Sequence, residues 1–278
     1  MRTSPLFFLV AALIFQISSG GQAATTIPFQ FQSGLIWLKV SAGEPRERLD
    51  FIFDTGAGSS VIDLQLARRM GLKLGEQKTV KRVDGSSPSF RVKEFSALVG
   101  EIPISSSLLA MDLSGPSRSC HRRIDGIVGV DFIRNRIVQI DFARQILRLL
   151  EPAEATTAGY EMIPLAARND TLCARVSVNG RAAQWLRLDT GCNTSVEWVA
   201  RDTRSIGRNA TTIGVNLKMA DEILTEIQIG AKRIASVKTG IHGRPFFPGE
   251  FGLIGNGLLS HFVVTIDAAN RRCLLAEQ

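Results

Sequence analysis

Two aspartates sit in the same short phrase of sequence. Residues 51–63 read FIFDTGAGSSVID and residues 186–196 read LRLDTGCNTSV, so Asp54 and Asp189 each close an apolar run and open a Thr-Gly pair. Such a tripeptide is either an ordinary exit from strand into turn, used twice, or a device that delivers two carboxylates to one place. In the second case the chemistry on offer is acid–base work: an ionised carboxylate takes a proton from water while a protonated one donates. No other constellation competes. The histidines (His121, His242, His261) are isolated, which leaves a His-based triad without support. Cys120, Cys173, Cys192 and Cys273 form no CxxC and no Cys/His cluster, which argues against a zinc site.

The elements that must position these residues also come in duplicate. DGIVGVDFIRNRIVQIDFARQILRLL, starting at Asp125, matches FGLIGNGLLSHFVVTIDAANRRCLL, starting at Phe251. Gly126 falls on Gly252, Gly129 on Gly255, Ile140 on Ile266 and Asp141 on Asp267, without a gap. Order and spacing kept over four landmarks point to two halves, 27–152 and 158–278, joined by the polar stretch EPAEATTAG. Each half is mostly strand. Short alternating runs such as LIWLKVSAG, LDFIFDTG and CARVSVNG end in turn residues. Two short helices are expected per half, one of them in DLQLARRMGL, with others in VDFIRN and GNGLLSH. Residues 79–92, TVKRVDGSSPSFRV, look like a long hairpin. The class is all-β with few short helices.

The N-terminus stands apart. Arg2, the apolar run LFFLVAALIF and the small residues SSGGQAA read as a secretory signal peptide over 1–24, with an uncleaved membrane anchor as the alternative. No later stretch approaches 18 uninterrupted apolar residues, so no stable membrane insertion is expected after signal removal. The formal charge of +7 is carried by scattered arginines, with small clusters at 118–123 and 134–136. Neither cluster is interleaved with aromatics, and a solvated basic surface is expected there rather than a nucleic-acid interface. An exported chain can oxidise its thiols, and four cysteines allow three pairings that sequence does not separate.

Apolar-apolar-Asp-Thr-Gly-Ala, a flap-like hairpin, then apolar-apolar-Gly and a short helix resemble a retropepsin-type aspartic peptidase lobe. The stretch 111–142 is especially similar to the exported bacterial retropepsin-like group. The resemblance covers nearly all of the chain after the signal, once per half. It implies two retropepsin-like (acid protease) lobes related by a pseudo-twofold axis, with Asp54 and Asp189 meeting at the centre as catalytic residues. Thr55 and Thr190 would then hydrogen-bond across to the opposite loop, and Gly56 and Gly191 would let backbone N–H groups approach the carboxylates.

The implied activity is an aspartic endopeptidase acting on a peptide or protein in extended conformation, with no cofactor and no metal. The implied setting is periplasmic or secreted, and one chain, as a monomer, supplies both halves of the site. The competing expectation is a catalytically silent peptide-binding protein of the same fold. Two departures matter: Ala57 and Cys192 stand where pepsin-type enzymes place Ser or Thr, and the only tyrosine, Tyr160, falls in the joint rather than on a flap. Asp141 and Asp267, though repeated, are expected to be structural turn groups.

Overall fold

The computed structural model describes residues 25–43, 46–83, 85–105, 107–200, 208–212, 215–219 and 221–278. The proposed signal segment 1–24 lies outside the described residues. The chain is built of strands with four short α-helices among the described residues, the class the sequence predicts. None of these helices is long and apolar enough to cross a membrane.

Six strands form an antiparallel layer shared by both halves. In spatial order they are Thr25–Gln32, Ile146–Leu150, Ile137–Asp141, Phe262–Asp267, Arg272–Glu277 and Glu161–Arg168. The two halves join at the middle pair, where Gln139 faces Thr265 and Ile140 faces Val264. Gln139 and Thr265 are equivalent positions of the sequence repeat, and the Gln139 amide donates to the Thr265 hydroxyl at 3.1 Å. Equivalent residues meet face to face only on a twofold axis, so the repeat marks where that pseudo-axis runs. Asp141 and Asp267 close the hairpins that follow. Asp141 accepts from the backbone and guanidinium of Arg144, and Asp267 from Asn270 and Arg272. Both are turn groups, as expected.

Each half then wraps its own sheet around the strand that ends in Asp-Thr-Gly. In the first half Glu47–Phe53 runs parallel to Gly126–Val128, which also pairs antiparallel with Val61–Asp63. In the second half Gln184–Leu188 runs parallel to Gly252–Ile254, which pairs antiparallel with Val196–Val199. The inserted strand is therefore squeezed between the chain entering each loop and the chain leaving it. A Cβ on Gly126 would lie 2.3 Å from the Phe51 ring, and one on Gly252 would lie 2.0 Å from the Glu197 carbonyl oxygen. These distances explain why glycine recurs there.

Period-two alternation sets which side chains reach the cleft. Phe51 and Phe53 point into the main core, as do Leu186 and Leu188, leaving Ile52, Asp54, Arg187 and Asp189 on the opposite face. The helix Leu64–Arg69 starts where expected: the Asp63 carboxylate caps it by accepting from Leu66 N–H, and Leu66 and Ala67 are buried. The helices Val130–Ile133 and Asn256–Leu259 follow the second glycine motif in each half. Helix Ser114–Ser119 was not foreseen, its Ser, Gly and Pro reading as a loop. The second helix expected in the second half is not among the described elements, and residues 201–207 lie outside the described residues.

Three other expectations need correcting. The joint is less of a free linker than its composition suggests: Pro152–Glu154 forms a 3-10 turn with a capping box, and Ala155 is buried. The four cysteines, whose pairing the sequence leaves open, are free thiols here, Cys173, Cys192 and Cys273 buried and Cys120 half-buried. The basic clusters are engaged as well as solvated. Arg122 stacks 4.0 Å over Trp37 and bonds Asp50, while Arg136 lies over the Phe132 ring.

Candidate active site

The two Asp-Thr-Gly turns meet in the interior, and their threonines trade hydrogen bonds. Thr55 N–H donates to the Thr190 hydroxyl at 2.9 Å, and Thr190 N–H donates to the Thr55 hydroxyl at 3.1 Å. Each hydroxyl in turn donates to the carbonyl before the opposite aspartate, Thr55 to Leu188 at 2.7 Å and Thr190 to Phe53 at 2.8 Å. Both threonines are fully enclosed, so these four bonds satisfy groups that have no access to water.

The aspartates sit directly above this exchange. Asp54 is 8% exposed and Asp189 4%, and their carboxyls are hydrogen-bonded to one another. Gly56 N–H donates to Asp54 Oδ1 at 2.8 Å and Gly191 N–H to Asp189 Oδ1 at 2.9 Å. Their own N–H groups donate to Val128 and Ile254, so each carboxylate is hung on the squeezed central strand. Gly56 has no room for a side chain, because a Cβ there would lie 2.5 Å from the Asp189 carboxyl carbon. All six residues singled out from the sequence, Asp54, Thr55, Gly56, Asp189, Thr190 and Gly191, are thus brought to one place.

Burial raises both carboxyls above the ordinary carboxylate value, Asp189 well above it. The Asp54 charge adds to the rise at Asp189, while the Arg187 guanidinium pulls both back. Two acids so close cannot both ionise, and the pair holds one proton over an intermediate pH range. An ionised and a protonated carboxyl then stand side by side, which is what water activation with simultaneous proton donation requires.

The pair opens into a cavity of about 490 Å³. One wall comes from the first half and is apolar, with Val61, Leu109, Met111 and Ile127; the other carries Arg187 and Phe247. The expected hairpin is present as Leu74–Arg82 paired with Gly85–Val92, and Val80, Lys81, Arg82 and Val83 overhang the cavity. In the second half, Arg208–Thr212 and Val215–Met219 pair as a hairpin too. Among the described residues no group of three or more His, Cys, Asp or Glu could hold a metal ion.

Neither Ala57 nor Cys192 offers a hydroxyl to the carboxylates. The Cys192 thiol lies 3.1 Å from the Thr194 hydroxyl, and burial pushes its pKa well up, keeping it neutral. His242 is buried against Glu197 and edge-on to Phe246, while His121 and His261 are exposed. Sequence reasoning missed Arg187 and Glu250, a buried ion pair beside the aspartates. The signal was present as an arginine inside LRLD, where the first half has an unbroken apolar run. Asn256 was also missed: its amide donates to both the Thr190 and Gly34 carbonyls, tying the second loop to the first half.

Comparisons with known proteins agree with this geometry. Residues 39–132 match the family model described as aspartyl protease, which takes in Asp54 and the Gly126 strand. No curated protein matches the chain. Among solved structures, the aspartic proteinase from Irpex lacteus superposes with a TM-score of 0.58 at 12% identity. The superposition covers 92% of this chain and 98% of that one. The fold is therefore that of an aspartic proteinase across both halves.

Proposed function

We propose that the chain is an aspartic endopeptidase of the retropepsin-like kind, exported by its N-terminal segment, which cuts extended peptides with Asp54 and Asp189. One observation carries this reading: the reciprocal threonine exchange brings two buried carboxyls together on the lining of a cavity of about 490 Å³. The ionised member of the pair removes a proton from a bound water as that water attacks the peptide carbonyl. The protonated member donates to the carbonyl oxygen, and the tetrahedral species collapses as the leaving amine is protonated. Gly56 and Gly191 N–H groups stabilise the charge that moves between the two acids.

The test is cleavage of a denatured protein mixture by the purified chain over a broad pH range. Activity is expected with a mildly acidic optimum, about pH 4 to 6, because burial raises both acids and no hydroxyl at positions 57 or 192 lowers them. Raising the pKa values moves the one-proton window upward, so a maximum near pH 2 contradicts the argument. No cleavage at any pH indicates a silent peptide-binding protein instead.

The working unit is expected to be one chain. It carries both aspartates and both threonines, and the short joint keeps the halves at an effective concentration of order millimolar. Light scattering at assay concentration should give a single-chain mass, with activity per mole unchanged on dilution. Activity that falls on dilution as a dimer dissociates points to a site shared between two chains.

A further inference from the structure

We propose that Arg187, clasped by Glu250, is a positioning residue of the carboxylate pair: it anchors the Asp-Thr-Gly loop of the opposite half and places one positive charge on one side of the site. The inference rests on the reading of Asp54 and Asp189 as the working pair.

The repeat shows what is unusual here. Arg187 and Glu250 occupy the positions that Ile52 and Ile124 occupy in the first half. Both isoleucines are fully buried in an apolar cluster with Trp37, Val61 and Leu113. The same framework can therefore be filled by two aliphatic side chains. Burying an ion pair instead costs desolvation, and hydrophobic replacements of similar volume are often neutral or better for stability. Packing alone does not call for charge at this place.

The contacts indicate what the charge does. Arg187 Nε donates to Glu250 Oε2 at 2.7 Å and Nη2 to Oε1 at 3.0 Å, a two-point clasp that fixes the guanidinium plane. The plane lies 3.6 Å over the Phe247 ring, and Asn169 Nδ2 donates to Glu250 from the other side. The remaining arm, Nη1, crosses to the first half and donates to the Gly56 carbonyl at 2.8 Å. Gly56 is also the residue whose N–H holds Asp54 Oδ1, and it packs so close to Asp189 that a Cβ on it would lie 2.5 Å from that carboxyl. Shifting that residue disturbs both acids at once. Ile52 has no donor to offer Gly191 in return.

Other charged and titratable groups face this cluster. Arg168 and Cys173 lie on neighbouring strands, Asp170 on the adjoining turn, and Lys81 and Arg82 on the hairpin above. The Cys173 thiol is pushed up to about 12, by burial first and then by the Glu250 charge, and stays neutral. Arg187 is the cation that offsets the burial of both Asp54 and Asp189. It keeps their one-proton window from drifting toward neutral pH.

The test copies the first half into the second: Arg187→Ile with Glu250→Ile, which leaves no orphaned charge. Carboxyl titration by NMR of protein labelled at aspartate reads the pair whether or not turnover occurs. The double variant should fold, its raised carboxyl titrations should move up by about one pH unit, and kcat should fall at least about tenfold with KM little changed. Arg187→Lys, which keeps the charge but not the fork, should leave the titration in place while kcat still falls. A folded double variant with unchanged titration and unchanged kcat overturns the proposal. If the double variant does not fold, wild-type kcat in Arg187→Lys overturns the anchoring role. Titrations that shift as stated in a protein that cleaves nothing leave the positioning role standing and remove the peptidase reading.

Discussion

Replacing Asp54 with Asn, or Asp189 with Asn, should lower kcat/KM by at least about a thousandfold while leaving a protein no less stable than the wild type. The loss is large for either change because one water and one proton are shared: an amide at either position removes the base or the acid. The stability expectation has its own sign. A buried acid whose folded pKa is raised favours the fold at low pH, below the unfolded value, and loses that contribution as pH rises through the folded value. Both carboxyls are raised, chiefly by burial. An Asn variant escapes this penalty, so its advantage in urea unfolding should be negligible near pH 4 and grow toward pH 7. A single variant that keeps substantial turnover removes the shared pair. A variant that unfolds at pH 7 shows instead that the carboxylates hold the loops together.

Gly252→Ala should cost about 3 kcal/mol or more and abolish the folded site in most preparations. The added carbon would stand 2.0 Å from the Glu197 carbonyl oxygen and 2.8 Å from the Leu186 side chain. The oxygen belongs to backbone held in a ladder on both sides, where Val196–Val199 pairs with Thr239–His242 and with the Gly252 strand itself. Neither neighbour can retreat without breaking the register that delivers Asp189. Chemical denaturation against wild type decides the matter; a loss below about 1 kcal/mol means the strands separate more easily than their pairing implies.

What could be read from the sequence was whatever the repeat preserved. The two Asp-Thr-Gly phrases, the squeezed glycines and the Asp141 and Asp267 turns appear twice, and duplication distinguishes a constraint from a coincidence. The strand class followed from period-two alternation, and helix Leu64–Arg69 from its apolar spacing. Arg187 and Glu250 were not legible, because a charge in an apolar strand is uninterpretable until its partner, 63 residues away, is seen beside it. Helix Ser114–Ser119 was missed because its residues favour turns, and its Ser117 hydroxyl ties it to its flanks, donating to the Leu113 carbonyl and accepting from Ile124 N–H. Asn256 escaped notice for a similar reason, since its two acceptors, on Gly34 and Thr190, lie 222 and 66 residues away in sequence.

The axial contact between Gln139 and Thr265 marks a freedom that identical subunits do not have. In a pair of identical chains, every substitution arrives twice, and a residue on the axis must complement its own copy. An arginine beside the carboxylates would come as two, pulling both acids down from opposite sides and emptying the shared proton from the site at mildly acidic pH. With both halves encoded in one reading frame, each position mutates alone. Gln can face Thr on the axis, and one guanidinium can act where its counterpart remains isoleucine. Two halves carried on one chain thus allow a symmetric scaffold to hold a lopsided field, and the cleft acquires a direction.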